Sequence, residues 1–321
     1  MDEFSFIDSI KQNYYRQSTL IKGIGDDAAV LSSSPEDIVT AVDTFVEGVH
    51  FTKTSMEPFF VGYRGLAANL SDLAAMGASP AFYLVSIVIP KSWSMEEIAQ
   101  IFSGMKELAG IYSMDLIGGD TVSGKELSIS VTVIGYVKKG KARYRSVAKN
   151  GDIVFVTGTL GDSQAGFHIL TNPGVYLNES YYARRHQMPS PRVDFAKSLD
   201  RLPRVSLNDI SDGIASEASE IAEASGVNIT LNALKIPVAD SYDQFSEDLQ
   251  HHWKFYGGED FELMGTIPGS DWAEVQKLAD QSQVRITEIG YVTMDHENGN
   301  VFLEKNNEKK QLQKRGYNHL K

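Results

Sequence analysis

The stretch Gly23-Ile-Gly-Asp-Asp-Ala-Ala-Val30 sets two adjacent carboxylates after a Gly-x-Gly and ahead of an apolar run. Glycines let a loop turn tightly and let a ligand approach the backbone. The apolar residues predict a strand from Ala28 to Leu31, and successive strand side chains point to opposite faces. Only one of the two carboxylates can then face a given site; Asp27 is the candidate and Asp26 its support. An acidic turn feeding a strand has the same local signature, so the stretch takes its meaning from what recurs along the chain.

What recurs is aspartate beside glycine or serine at the ends of apolar segments. Upstream, Phe4 to Tyr15 has helical apolar spacing. Downstream, Ile38–Val42 reads as a second strand joined by a Ser-Ser-Ser-Pro turn, with Asp43 at its end and His50 in a glycine-containing loop beyond. Glu57 to Met76 reads as a long helix rich in small residues, stopped by Gly77. Its Asn69 and Asp72, spaced i, i+3, share one face. Ala81–Ile89 is a strand, and Ser94-x-x-Glu97 is a capping box opening a helix to about Tyr112. Asp115-Leu-Ile is a short strand running into the loop Gly118-Gly-Asp120, and Glu126 to Val137 alternates as a strand.

The basic segment 138–151 predicts the boundary between two domains, 1–140 and 141–321. Beyond it, Asp152–Thr157 is a strand, and Gly158-Thr-Leu-Gly-Asp-Ser163 opens a helix with Asp162 or Ser163 as its N-cap. Leu207–Ile210 delivers Asp209, Ser211 and Asp212 into a turn at Gly213, ahead of a helix over 214–224. Tyr256-Gly-Gly-Glu-Asp260 leads into a strand over 261–267. A last helix, 271–281, and strands near 285–292 and 300–303 complete a mixed α/β and α+β pattern.

Composition narrows the function. The formal net charge is −12, with 42 acidic against 30 basic residues. Such a field opposes binding to nucleic acid or to an anionic membrane without a segregated basic patch. The residues 309–315 read instead as a solvated basic surface. The chain has no cysteine, which excludes disulfides, thiolate zinc sites and cysteine nucleophiles. An acidic start unlike a signal peptide, and no apolar run of membrane-spanning length, predict a cytoplasmic protein. The seven histidines form no zinc-binding spacing. Gly119-Asp-Thr-Val-Ser-Gly-Lys-Glu126 falls one residue short of a P-loop and precedes a strand where a P-loop opens a helix.

Carboxylates delivered on loops at strand ends suit hard cations such as Mg²⁺. Mg²⁺ in turn bridges such carboxylates to polyphosphate, and nearby glycines offer unobstructed backbone N–H groups to phosphate oxygens. A non-catalytic cation-binding protein could use the same aspartates.

Five blocks occur in order: Gly23-Ile-Gly-Asp-Asp-Ala-Ala-Val, Asn69-Leu-Ser-Asp-Leu-Ala-Ala-Met-Gly-Ala-x-Pro80, Ile117-Gly-Gly-Asp-Thr121, Asp209-Ile-Ser-Asp-Gly213 and Gly257-Gly-Glu-Asp-Phe-Glu-Leu263. Gly316-Tyr317-x-His319 follows near the end. Together they resemble the signature of the thiamine-monophosphate kinase family, within the aminoimidazole-ribonucleotide-synthetase-like ATP-binding superfamily. The resemblance implies transfer of the ATP γ-phosphoryl onto the phosphate of thiamine monophosphate, giving thiamine diphosphate and ADP, with several Mg²⁺ ions and no side-chain acid or base. It implies Asp27, Asp43, Asp72, Asp120, Asp209 and Asp212 as Mg²⁺ ligands. Where many members have Ser-Thr, this chain has Ala41 and Val42, so only the Val42 backbone carbonyl can serve. ATP contacts are implied for Tyr112, Gly119, Asp120, Arg145 and Ser211, and thiamine-phosphate contacts for His50, Glu259 and Tyr317. The implied fold is a two-domain synthetase-like one, in which an N-terminal mixed-sheet domain dimerises and is followed by a C-terminal α+β domain. Aminoimidazole ribonucleotide synthetase and selenophosphate synthetase are the alternatives within the superfamily, the latter weakened by the absence of cysteine.

Overall fold

The computed structural model describes residues 7, 9–12, 14–24 and 28–316. Asp26, Asp27, Tyr317, His319 and much of the 4–15 segment read as a helix lie outside the described residues. The chain divides into two compact units, Met1–Leu73 with Ala78–Ala142, and Ala74–Gly77 with Arg143–Lys321.

The first unit holds a four-stranded sheet of β3 (Asp37–Val46), β4 (Ser79–Pro90), β5 (Asp115–Gly124) and β6 (Ser128–Val137), in the order β3-β6-β4-β5. Only the β4–β5 pair is parallel. Alternation along β6 is clean: Ile129, Val131 and Val133 are buried, while Ser128, Ser130 and Thr132 are half-exposed. The helix Pro58–Ala75 lies on the buried face, where Gly65 meets Phe45 and Leu73 meets Gly135. A second helix, Met95–Ile111, crosses the first so closely that a Cβ on Gly62 would strike the Ile101 carbonyl, and one on Gly104 the Phe59 carbonyl. The helix starts with the expected capping box: Glu97 N–H donates to Ser94 Oγ (3.2 Å) and Ser94 N–H to Glu97 Oε2 (2.7 Å). Gly77, at φ +70°, follows the end of the long helix, a conformation that favours glycine.

Three features of this unit differ from the sequence reading. A strand β1 (Leu20–Lys22) pairs antiparallel with a shorter β2 (Val30–Leu31). Strand β3 runs four residues further, to Val46, so Asp43 sits inside it rather than at its end. Residues 118–124 continue β5 instead of forming a loop. Glycines favour a loop locally, but a central strand partner, β4, pairs with β5 from Asp115 to Gly124.

The second unit holds a seven-stranded mixed sheet in the order β13-β12-β9-β11-β7-β10-β8. Its strands are β7 (Asp152–Thr157), β8 (Ser206–Asp209), β9 (Asn228–Asn232), β10 (Leu263–Pro268), β11 (Ile286–Thr293), β12 (Val301–Lys305) and β13 (Glu308–Gln311). The helix Ile214–Ser225 buries Ile214, Ala218, Ile221 and Ala222 into a core with Val154, Val156, Ile229 and Met264. Two helices, Glu179–Gln187 and Glu247–Tyr256, and β13 have no counterpart in the sequence pattern. They are short and polar; the second helix buries only Trp253 and Phe255, so its apolar period is faint. The helix Asp162–Thr171 is capped by Gly161, at φ +82°, and not by Asp162 or Ser163.

Candidate functional site

In the first unit Asn69 ties the long helix to β3. It is fully buried, its Nδ2 donates to the Gly65 carbonyl (3.0 Å), and its Oδ1 accepts the N–H of Asp43 (3.0 Å). A polar side chain in so apolar a helix is burdensome unless bonded, and here it fixes Asp43 against the helix that carries Asp72 one turn on. Asp72 is half-buried. Val42, adjacent to Asp43, turns its side chain to the opposite, exposed face, so only its backbone is offered near Asp43.

Asp120 is differently placed. Cross-strand partners run Asp43–Val131–Val85–Gly119, all on the helix-covered face, whereas Asp120 aligns with Ser86, Ser130 and Thr44 on the other. Asp43 and Asp120 also occupy opposite edge strands, about 14 Å apart by strand spacing. Within this unit their carboxylates therefore do not share an ion. Gly119 lies against the Val85 carbonyl with no room for a Cβ, and Tyr112 is the C-terminal cap of helix Met95–Ile111.

His50 is held by its own strand: Val46 N–H donates to its Nδ1 (3.0 Å), and its ring stacks on Phe45 at 5.0 Å. With Nδ1 accepting, the neutral ring carries its hydrogen on Nε2. The loop is pinned further by Trp93 Nε1 donating to Glu47 Oε2 (2.9 Å).

In the second unit, β8 ends at Asp209 and the chain turns through Ser211 and Asp212 to Gly213, whose φ is +109°. Glu217, buried in the following helix, holds that turn. Its Oε1 accepts Asp212 N–H (3.0 Å) and its Oε2 accepts Asn208 Nδ2 (2.6 Å). Burial, then the nearby charges of Asp209 and Glu220, push the Glu217 carboxyl up to about 9. Arg145 donates from Nε to Asn208 Oδ1 (2.9 Å) and pairs with Glu220 at 3.1 Å. The guanidinium is half-exposed, leaving it able to meet an anion.

The Gly257-Gly-Glu-Asp-Phe-Glu segment is laced to this turn. Glu259 N–H donates to the Ser211 carbonyl (2.7 Å), Phe261 N–H to the Ile210 carbonyl (3.0 Å), and Ile210 N–H to the Glu262 carbonyl (2.7 Å). Behind it lies a buried ionic group. Glu262 takes Arg192 (2.6 and 2.5 Å), Arg185 (2.8 Å) and Thr157 Oγ1 (2.6 Å). Burial alone would raise Glu262, but the two arginines hold it below the usual carboxylate range. Asp162 is raised by burial despite Arg185, and Asp260 is pushed up to about 7 by burial and by Asp162. Ser163 sits 3.2 Å from His186 Nδ1, but both are buried, so this serine–histidine pair cannot reach a substrate.

Asn208, Glu217, Asp260, Glu262, Arg185 and Arg192 were not singled out from the sequence. Two of them lay inside a quoted block; Arg185 and Arg192 had no local signal, since their partner Glu262 is some seventy residues away.

Among the described residues, neither unit by itself groups three His, Asp or Glu side chains to hold a metal ion. Mg²⁺ commonly takes only one or two carboxylates and completes its shell with phosphate oxygens and water. The oxygen donors Asp43, Asp72, Asp209 and Asp212 are of the right chemistry. Burial is the main cause of the Glu217 rise; the smaller part due to the charges of Asp209 and Glu220 is what a nearby cation would offset. No helix among the described residues is long and apolar enough to cross a membrane.

Residues 25–137 match the model of the AIR synthase related protein, N-terminal domain, and residues 149–301 that of the corresponding C-terminal domain. The chain belongs to the AIR synthase related family. It is 44% identical over 328 residues to the thiamine-monophosphate kinase of Bacillus subtilis (strain 168), covering 100% of both chains. A crystal structure of thiamine-monophosphate kinase from Stenotrophomonas maltophilia K279a superimposes with a TM-score of 0.84 at 32% identity, over 95% of this chain and 97% of that one. The structure of AaThiL complexed with AMPPCP and TMP gives a TM-score of 0.78 at 29% identity, over 99% and 97%.

Proposed function

We propose that this chain is a thiamine-phosphate kinase: it transfers the γ-phosphoryl of ATP to thiamine monophosphate, yielding thiamine diphosphate and ADP. The observation that carries the reading is the full-length likeness to the Bacillus subtilis enzyme, supported by Asp209 and Asp212 at a strand end and turn and by Asp43 tied through Asn69 to the helix that carries Asp72. Asp43, Asp72 and the Val42 carbonyl in the first unit, and Asp209 and Asp212 in the second, hold Mg²⁺. Asp27 joins them on the strength of the family signature, and Asp120 holds a cation at the exposed sheet face. Mg²⁺ neutralises polyphosphate charge and aligns its oxygens when bound.

The chain's own residues do the rest. Arg145, anchored by Asn208 and Glu220, presents a fixed positive charge to ATP, with Tyr112, Gly119, Asp120 and Ser211 as the other nucleotide contacts. By the family signature, His50, Glu259 and Tyr317 are each contacts of thiamine monophosphate. An ionised phosphate acceptor needs no general base, so positioning and charge neutralisation provide the catalysis. The active form is a homodimer packed through the exposed face of the four-stranded sheet, where Val42 and Val122 stand open to solvent.

The test is product analysis with ATP, Mg²⁺ and thiamine monophosphate. Thiamine diphosphate and ADP are the expected products. Turnover on a different small acceptor, with none on thiamine monophosphate, would place the chain elsewhere in the family.

A further inference from the structure

Asp260 is buried, and its two carboxylate oxygens accept two backbone donors of the same helix start: Gly161 N–H on Oδ2 (2.7 Å) and Ser163 N–H on Oδ1 (3.0 Å). The helix Asp162–Thr171 has no side-chain cap of its own, because its N-cap is a glycine. Asp260, about a hundred residues away, does what an N-cap side chain ordinarily does. On either side of it the backbone is strained. Glu259 sits at φ +69° and Phe261 at φ +51°, left-handed values that carry a steric penalty for side chains with a Cβ. Such a double reversal persists only when its surroundings over-determine it. The front of the segment is laced to Ile210 and Ser211 by the three backbone bonds described above. A Cβ on Gly258 would strike the Ser211 carbonyl, so no slack remains there. The back is held by Asp260.

We propose that Asp260 is a positioning residue for substrate recognition: seated on the start of helix Asp162–Thr171, it holds Glu259 in its left-handed turn and in register with Ser211 and Asp212. The proposal rests on Glu259 contacting thiamine monophosphate. Asp260 itself touches no substrate. It sets where the Glu259 carboxylate stands relative to the turn that serves ATP and metal, and so couples acceptor recognition to the phosphoryl-transfer turn.

The Asp260→Asn variant tests this, since it keeps one acceptor and turns the other into a donor facing an N–H. Loss of one such buried bond predicts a KM for thiamine monophosphate raised about tenfold, with the KM for ATP changed less than about twofold. The amides of Glu259 and Phe261 should exchange with solvent about tenfold faster in the variant. A variant with lowered melting temperature but unchanged KM for thiamine monophosphate would overturn the assignment, reducing Asp260 to a structural cap. Should the variant fail to fold, exchange in the wild-type protein decides. Addition of thiamine monophosphate should protect the amides of Gly161, Ser163, Glu259 and Phe261 together, whereas protection of Glu259 with Gly161 and Ser163 unmoved overturns the coupling. A wild-type protein that makes no thiamine diphosphate would overturn the functional reading and the substrate half of the proposal. Normal turnover with uncoupled amides overturns the Asp260 assignment alone.

Discussion

Asp209, Ser211 and Asp212 owe their placement to Glu217, a buried neighbour with no signature of its own. Its carboxyl receives the Asp212 N–H and the Asn208 side chain, which in turn steadies Arg145. The aspartates were legible in the sequence because they stand beside glycine and serine in blocks; the residue that aims them was not, because it lies in a helix whose pattern reads as ordinary core. Exchanging a ligand tests the assignment more sharply than exchanging a support. Asp212→Asn should lower kcat about a hundredfold or more at fixed Mg²⁺ while leaving the circular dichroism spectrum unchanged; near-normal turnover would remove Asp212 from the metal set. Asp260 gives a pH-dependent expectation. Its folded-state pKa, about 7, is raised above the unfolded value. Its contribution to stability is therefore fully present below about pH 4 and lost as pH rises through 7. Relative to Asp260→Asn, wild-type stability should fall by up to about 1.4 kcal/mol per pH unit between about pH 4 and 7, then level off. Paired urea titrations across that range would measure it.

At the scale of elements, the close crossing of the helices Pro58–Ala75 and Met95–Ile111 fixes the platform for Asn69 and Asp72. The crossing works because Gly62 and Gly104 admit a carbonyl of the opposite helix where any side chain would collide. Gly104→Ala should therefore destabilise the chain by about 1–3 kcal/mol net, the collision outweighing the roughly 1 kcal/mol that alanine gains in helix propensity. A thermal melt settles the sign, and a rise in melting temperature would show that the helices can part without loss. The small-residue richness of the first helix was visible in the sequence, as was the capping box of the second. The extent of β3 and β5 was not. Glycine and aspartate argue locally for loops, and only hydrogen bonding to β6 and β4 overrides that preference. The same override separates Asp43 from Asp120, which a loop reading would have let converge.

For the whole molecule, a chain of net charge −12 that brings two phosphorylated anions together must offset their repulsion, the part proposed above for Mg²⁺ and Arg145. The two compact units divide at Ala142/Arg143, between β6 and β7, with Ala74–Gly77 counted in the second. The proposed dimer contact gives a second whole-molecule expectation. Val122→Asp, on the exposed sheet face, should shift the protein from dimer to monomer in size-exclusion chromatography with light scattering, because it replaces an apolar contact with a second carboxylate beside Asp120 on the same face of β5. An unchanged dimer would move the interface elsewhere. Direct transfer of the phosphoryl group to a phosphate acceptor is decided by incubation with γ-labelled ATP, Mg²⁺ and thiamine monophosphate. Label should appear in the terminal phosphate of thiamine diphosphate, matched one-to-one by ADP; label found only in inorganic phosphate would rule direct transfer out.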